Sequence, residues 1–548
     1  MAHLNKADML ATETVMVSEK DDHAFVQTSS ASVLSMDDSS SGHHSTKKRS
    51  MANLRREFKD SARSTAVSLR RPDLLAKKAG KNTWRVLSNY AKFVGPGFMI
   101  SVAYIDPGNY ATDVAAGASF RFRLLFIVLM SNIFAIFLQS LSIKLGSVTG
   151  YNLAEACKHY CPKWVNIALY VLAEVAIIAT DVAEVIGTAI ALNLLEPRIP
   201  LVAGCAISIA DVLIILLFFN VKGSMKGIRI FEIFVAALVM AVVVCFCVQL
   251  GLIQNTSAGD VFRGYIPSDT LIQPTAIFQA CGILGATVMP HSIYLGSGMV
   301  QSRLLEYDQD NGIVPSGATI DEFEEKKETY RPSLAAIKFC MKYSMAEVGI
   351  SLFSFALFVN SAILIVAGAS LFGTDGADDA DLFGIFDLLS TNVAPAAGTI
   401  FALALLFSGV SAGIVCTLAG QMVSEGSLDW SIAPWKQRLV TRTISITPSI
   451  IIAGAVGRQG LSAALEGSQV VLSVCLPFIT APLIWFTCKS QYMTVKTPHF
   501  HEGVWTDAHQ KAGNMRNGWL TTAAAVIIWL IITVMNIANL VLLGVNPS

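Results

Sequence analysis

The decapeptide YIDPGNYATD, residues 104–113, lies inside an apolar run long enough to cross a bilayer, yet it carries a proline, a glycine and two aspartates. Pro107 and Gly108 interrupt a helix. Asp106 and Asp113 put carboxyl groups at hydrocarbon depth, where charge is costly. A break of this kind is tolerated in a membrane only where the freed backbone groups face protein or a water-filled cavity. The stretch therefore predicts a transmembrane helix unwound around a polar cavity.

The rest of the chain supplies the membrane. Of 548 residues, 53% are hydrophobic and 15% charged, with a mean hydropathy of +0.55, well outside the range of a soluble domain. Eleven apolar runs have the length a bilayer core demands, at about 89–119, 123–144, 164–194, 200–220, 229–252, 272–303, 340–371, 394–423, 439–457, 463–488 and 518–544. Segments of about 10 alternating residues, which a β-barrel requires, are not seen, so the expectation is an all-α polytopic protein. Residues 1–88 read as a polar, disordered cytoplasmic tail without a cleavable signal peptide.

Net charge is zero, but its distribution is polarised: residues 45–92 hold 14 Lys or Arg against three acids. The positive-inside rule then puts the amino terminus in the cytoplasm. With eleven spans the carboxyl terminus falls outside, and every lysine after Lys92, from Lys144 to Lys511, falls on the inner side. The sequon Asn255-Thr256-Ser257 falls in an outer loop. The ten cysteines fall in spans or inner loops, so no outer disulfide is implied. CKHYC, 157–161, offers two thiols and a histidine on an inner connector, fewer ligands than a structural metal site uses.

The sixth span repeats the oddity of the first. GILGATVMPHSIYLGS, 282–297, carries Pro290 and His291 in mid-membrane with Gly282, Gly285 and Gly296 around them. First and sixth are corresponding members of two five-span units, 89–252 and 272–488, which enter the membrane from opposite sides because five is odd. That is the layout of an inverted-repeat transporter with its substrate between two broken helices. The run 518–544 is an additional eleventh helix, and 304–337 an inner loop.

Asp106 and Asn109 bracket the first break, so unwinding through Pro107 and Gly108 turns both side chains and the Ala103 carbonyl toward one point. From the sixth span come the Met289 sulfur and the Ala286 carbonyl. Oxygen ligands plus one thioether suit a divalent cation of the transition series better than hard Mg²⁺ or Ca²⁺. A methionine packed in the core is the plain alternative for Met289. In the third span Glu174, Asp181 and Glu184 lie near one helical face. With His291 they read as a proton route beside the metal site. A fixed ion pair with Arg442 in the ninth span, or with Arg438 at its edge, is the competing reading.

At GPGFMISVAYIDPGNYATD, TDVAEVIGTAI, GATVMPHSIYLGS, LAGQMVSEG (418–426) and SQVVLSVCLPF (468–478) the chain resembles the natural resistance-associated macrophage protein (NRAMP) family of proton-coupled divalent metal transporters, fungal type. The resemblance covers residues 89–488. It implies a LeuT-like 5+5 inverted repeat, alternating access, and import of Mn²⁺ or Fe²⁺ into the cytosol with H⁺, without a bound cofactor. Carried over by residue, the metal ligands are Asp106, Asn109, Met289 and the carbonyls of Ala103 and Ala286, with Gln469 added in one conformational state. The proton route is Asp181, Glu184 and His291. Many members carry a second histidine in YLHS where this chain has Gly296, and Gln where it has Val410.

Two other classes compete. A sodium-coupled importer of organic solutes shares the architecture, but the Asp106 carboxylate repels a substrate carboxylate. A metal-sensing receptor usually appends a large cytoplasmic output domain, whereas this chain ends just after its last span. No nucleophile, cofactor or phosphate motif points to an enzyme, and nothing points to nucleic acid. The expected partners are divalent ions, protons and lipid, in the plasma membrane or an intracellular vesicle or vacuole membrane.

Overall fold

The computed structural model describes residues 100–210, 225–253, 256–315, 330–373, 381–428, 434–501 and 504–545. The tail expected over 1–88, the start of the first span, most of the fourth, the sequon asparagine Asn255 and the middle of loop 304–337 lie outside the described residues. Everything described belongs to one unit, Trp84–Ser548.

The first span is broken just before the expected place, with Pro107 and Gly108 opening the next helix rather than lying in the unwound turn. A helical turn ends at Val102, residues 103–106 are non-helical, and α1 runs Pro107–Phe120. Asp106 is its N-cap and Pro107 its first residue, the position where a missing N–H costs nothing. There follow α2 (Leu125–Thr149), the connector α3 (Leu153–Tyr160), α4 (Lys163–Leu195), α5 (Leu201–Ile207) and α6 (Met225–Leu252). A short helix α7 (Ala258–Arg263) precedes the sixth span, which is divided into α8 (Pro274–Thr287) and α9 (Pro290–Asp310) by non-helical Val288 and Met289. Next come α10 (Leu334–Ser351), joined through a wide turn at 352–356 to α11 (Leu357–Ser370), then α12 (Leu382–Leu388), α13 (Pro395–Leu428), α14 (Pro434–Ala455), α15 (Arg458–Cys488) and α16 (Trp519–Val545).

Seven helical stretches among the described residues are long and apolar enough to cross a membrane: the second, third, sixth, seventh, eighth, tenth and eleventh spans. The fifth and ninth contribute shorter apolar helices, Ala236–Leu252 and Leu439–Ala455. Observed helices start up to six residues before the predicted runs, as α10 does at Leu334 and α14 at Pro434. Polar ends that overhang a bilayer continue the helix without continuing the apolar signal.

One departure from the all-helical expectation stands in the loop after the tenth span. Strands β1 (Thr494–His501) and β2 (Val504–Asn514) pair antiparallel, Thr494 opposite Asn514 and His501 opposite Val504, with a register irregularity near Lys496–Pro498. A proline without an N–H interrupts the ladder there.

Apolar side chains also face outward. On α16 Trp519, Val534, Ile537 and Val541 are exposed, as expected where lipid rather than water is the solvent. This helix docks on α15 through the Trp529 indole, which donates to the Pro477 carbonyl at 2.8 Å. Its buried side, Ala525, Ile528 and Ile532, meets the core.

Candidate metal-transport site

The two breaks meet at Asn109. Its Nδ2 donates to the Ala286 carbonyl at the end of α8 at 3.0 Å, to Asp106 Oδ1 at 2.6 Å and to the Tyr104 carbonyl at 3.3 Å. Asp106 also accepts the backbone N–H of Gly108 at 3.1 Å and of Asn109 at 2.9 Å. Asp106, Asn109 and Met289 are all fully buried. A carboxylate and two carbonyls from two helix interruptions thus converge on one small polar volume, the layout expected of a dehydrated cation site.

Two freed carbonyls of the first break are met by side chains of other helices. Ser408 on α13 donates to the Ile105 carbonyl at 2.7 Å, and Asn360 on α11 donates to that of Tyr104 at 3.2 Å. On the second break Ser292 donates to the Met289 carbonyl at 2.7 Å. These side chains take the place of the missing helical donors, as hydrocarbon requires.

The Asn109 amide is turned by its neighbours. The amide oxygen of Asn109 does not face Asp106: it accepts from Asn360 Nδ2 at 3.1 Å and Thr287 Oγ1 at 3.4 Å. The nitrogen fills the place where the other oxygens converge. Ligation through this oxygen requires the amide to turn over, a rotation that Asn360 and Thr287 oppose in this arrangement. Neither was singled out from sequence, although a polar residue in mid-span is the signal that marks them.

Gln469 on α15 reaches the same place. It is fully buried, its Nε2 donates to Ser468 at 2.9 Å, and its Oε1 has no hydrogen-bond partner among the described residues. It lies directly over Gly108, where an added Cβ would come within 2.2 Å of Gln469 Nε2. Gly285 likewise admits the Gln469 carbonyl, 2.0 Å from where its Cβ would stand. Gly108 and Gly285 are therefore contact glycines: they let α15 close on both breaks. Pro107 in turn packs on Gly187 of α4, with its ring carbons 2.2–2.4 Å from a Cβ placed there.

Gly108→Ala follows as a test. Only the flexible end of Gln469 must move, so folding should survive. Losing a well-placed neighbour of the site should weaken metal affinity by roughly 10–100-fold. Calorimetric titration of Mn²⁺ into the purified protein checks this, and unchanged affinity would separate Gln469 from the site.

The acids of α4 take the ion-pair arrangement. Arg442 on α14 donates through Nη1 to Asp181 Oδ1 in a short contact and to Glu184 Oε2 at 3.4 Å, and through Nη2 to the Ser208 carbonyl at 3.4 Å. Arg442 and both acids are buried. The alternative partner Arg438 has its side chain outside the described residues. Glu174 stands apart from this pairing and is partly exposed. His291, beside Pro290, meets α4 through Thr180, with Nδ1 and Oγ1 3.3 Å apart. Thr180 immediately precedes Asp181, so the metal-side break and the ion-pair cluster are adjacent. Asp113, two turns beyond Asp106, is fully buried with both carboxylate oxygens unpartnered among the described residues.

The missing second histidine has a steric counterpart. A Cβ on Gly296 would stand 2.1 Å from Gln139 Oε1. Gln139 passes over the glycine to bond Tyr104 Oη at 2.8 Å and the Ser292 carbonyl at 2.9 Å, bracing the two breaks together.

Residues 97–500 match the family described as "Natural resistance-associated macrophage protein-like". The chain is 50% identical over 500 residues to the manganese transporter SMF1 of Saccharomyces cerevisiae, covering 84% of this chain and 87% of that one. It is 47% identical over 470 residues to the iron transporter SMF3 of the same yeast, covering 82% and 96%. Among solved structures, the Eremococcus coleocola manganese transporter superposes with a TM-score of 0.67 at 30% identity, covering 83% of this chain and 86% of that chain. The multi-pass membrane chain with these two facing helix breaks belongs to the NRAMP family.

Proposed function

We propose that the chain imports divalent transition-metal ions, Mn²⁺ or Fe²⁺, into the cytosol by alternating access coupled to protons. The observation that carries this reading is the meeting of the two breaks, Asn109 bonded at once to Asp106 and Ala286. The relatives named as manganese and iron transporters support the substrate class. An arriving dication takes the central place now filled by the Asn109 nitrogen, with Asp106 supplying charge, the Ala103 and Ala286 carbonyls supplying dipoles and Met289 supplying a soft donor. The amino terminus is cytoplasmic and the carboxyl terminus extracytoplasmic in this reading.

Proton coupling is assigned to the α4–α14 cluster. A proton reaching Asp181 or Glu184 releases part of the hold of Arg442, and His291 with Thr180 conveys that change to the second break. The geometry favours this over a sodium-coupled organic-solute carrier because the site presents a carboxylate and converging carbonyls, which repel a substrate carboxylate.

Uptake of radiolabelled Mn²⁺ into proteoliposomes, with and without an imposed pH gradient, tests both halves. Uptake accelerated by an inward proton gradient is expected. Absence of uptake rejects the transport reading, and gradient-independent uptake rejects the coupling alone. Met289→Ala tests the ligand chemistry: Mn²⁺ and Cd²⁺ should lose ground to Ca²⁺ by about tenfold, the equivalent of roughly 1.4 kcal/mol. Unchanged selectivity would return Met289 to a packing role.

A further inference from the structure

We propose that Cys157 and Cys161, on the connector between the second and third spans, are a dithiol that hydroperoxides convert to a disulfide, and that this disulfide slows transport. The transport half rests on the function proposed above.

The local sequence builds the pair. Asn152 caps α3 through a reciprocal box with Glu155, at 3.0 and 2.6 Å, which fixes the helix start. Pro162 forces the preceding residue out of the α region, and Cys161 accordingly ends the helix with extended backbone, φ −96° and ψ 157°. Its N–H still donates to the Cys157 carbonyl at 2.9 Å. The two side chains thus lie one turn apart on the same face. Cys157 is buried and Cys161 half-buried.

This gives the two sulfurs different tasks. The neighbouring Cys157 thiol favours a Cys161 thiolate and brings its pKa down to about 7, while Cys157 itself is pushed up beside Cys161 and by burial. Thiolate, not thiol, attacks peroxide. Cys161 thiolate takes one oxygen from the hydroperoxide, breaking the O–O bond and releasing hydroxide or alkoxide, and becomes a sulfenic acid. The Cys157 sulfur then displaces that oxygen as water, and its proton leaves with it, forming the S–S bond. A thiol reductant reverses the change. Disulfides on a cytosolic face are characteristically transient and redox-sensing, and in the proposed topology this connector faces the cytosol.

Closing the bond changes shape. Side chains one helical turn apart have Cβ atoms roughly 5–6 Å apart, whereas a disulfide holds them at about 3.5–4.5 Å. Cys161 is drawn inward, and Pro162 and the start of α4 follow. Other anchors tie α3 to moving parts: the Leu153 N–H donates to Ser297 Oγ of α9 at 2.9 Å, and Tyr160 packs against Phe486 of α15, with ring centroids 5.6 Å apart. The connector therefore touches α4, α9 and α15, which carry the acid cluster, the second break and Gln469.

The test uses the full-length protein, purified under reduction, treated with hydrogen peroxide and reconstituted. Trypsin cuts after Lys158, so the two cysteines leave in separate peptides unless a disulfide joins them. Linked peptides should appear with peroxide, vanish with dithiothreitol and be absent in Cys157→Ser. The initial rate of Mn²⁺ uptake should fall several-fold on oxidation and recover on reduction, while the double variant Cys157→Ser/Cys161→Ser keeps its rate throughout. Absence of linked peptides, linkage without loss of rate, or equal loss in the double variant would overturn the proposal. The peptide readout needs no transport, so a protein that fails to take up Mn²⁺ even when reduced would fail the functional reading separately.

Discussion

Asp106→Asn should reduce Mn²⁺ uptake at least 100-fold while leaving the protein folded and inserted. The asparagine keeps the shape and one of the two capping oxygens, of which Oδ2 now accepts from Gly108 and Oδ1 from Asn109, and Asn caps a helix as well as Asp does. What it removes is the charge. A dication taken out of water loses its hydration shell, and only a carboxylate aimed at it by fixed dipoles repays that cost; 100-fold corresponds to about 2.7 kcal/mol. Asp106→Ala should lose uptake as completely and in addition lower stability by about 1 kcal/mol, because the cap goes too. Thermal unfolding of the two variants beside their uptake rates separates charge from cap. Uptake retained by Asp106→Asn would remove the carboxylate from the site and with it the metal reading.

The two breaks were legible because the chemistry that makes them is local. Proline removes an N–H and glycine relaxes the backbone within one turn, so Pro107-Gly108 and Met289-Pro290 announce themselves wherever the fold puts them. The side chains next to them, Asp106 and Asn109, were legible for the same reason. What the sequence leaves open is the direction in which a group points once two distant segments meet. The Asn109 amide is oriented by Asn360, 251 residues away, and by Thr287, 178 residues away. No spacing rule along the chain reaches that far. Gln469 over Gly108 is of the same kind: the glycine reads as a helix breaker, yet its second task is to leave room for a side chain of α15. The hairpin of β1 and β2 was missed because its strands are polar, with a proline in the first, and lack the alternating apolar signal.

The α4 acids show a different limit. Sequence placed Asp181 and Glu184 one turn apart and offered two arginines, and the structure pairs both acids with Arg442. Arg442→Ala should therefore be among the most damaging substitutions in the protein. It leaves two buried carboxylates without their shared cation, and breaking a buried pair from one side costs about 3–5 kcal/mol, a large part of a typical total stability. Arg442→Lys should recover only part of this, since a point charge cannot serve Asp181, Glu184 and the Ser208 carbonyl as the planar fork does. The decisive variant neutralises all three, Asp181→Asn with Glu184→Gln and Arg442→Gln. Removing every charge together spares the chain an uncompensated one, so thermal unfolding should return to within about 1–2 kcal/mol of the parent. Transport is where the triple variant must differ. Mn²⁺ uptake driven by its own gradient should persist, because Asp106 is untouched, but an inward proton gradient should no longer accelerate it. A folded triple variant that still responds to the proton gradient would assign the proton route elsewhere, with Asp113, buried and unpartnered among the described residues, the next carboxyl group to replace. A triple variant that unfolds like Arg442→Ala would show that the cluster holds α4 to α14 by geometry rather than by balanced charge.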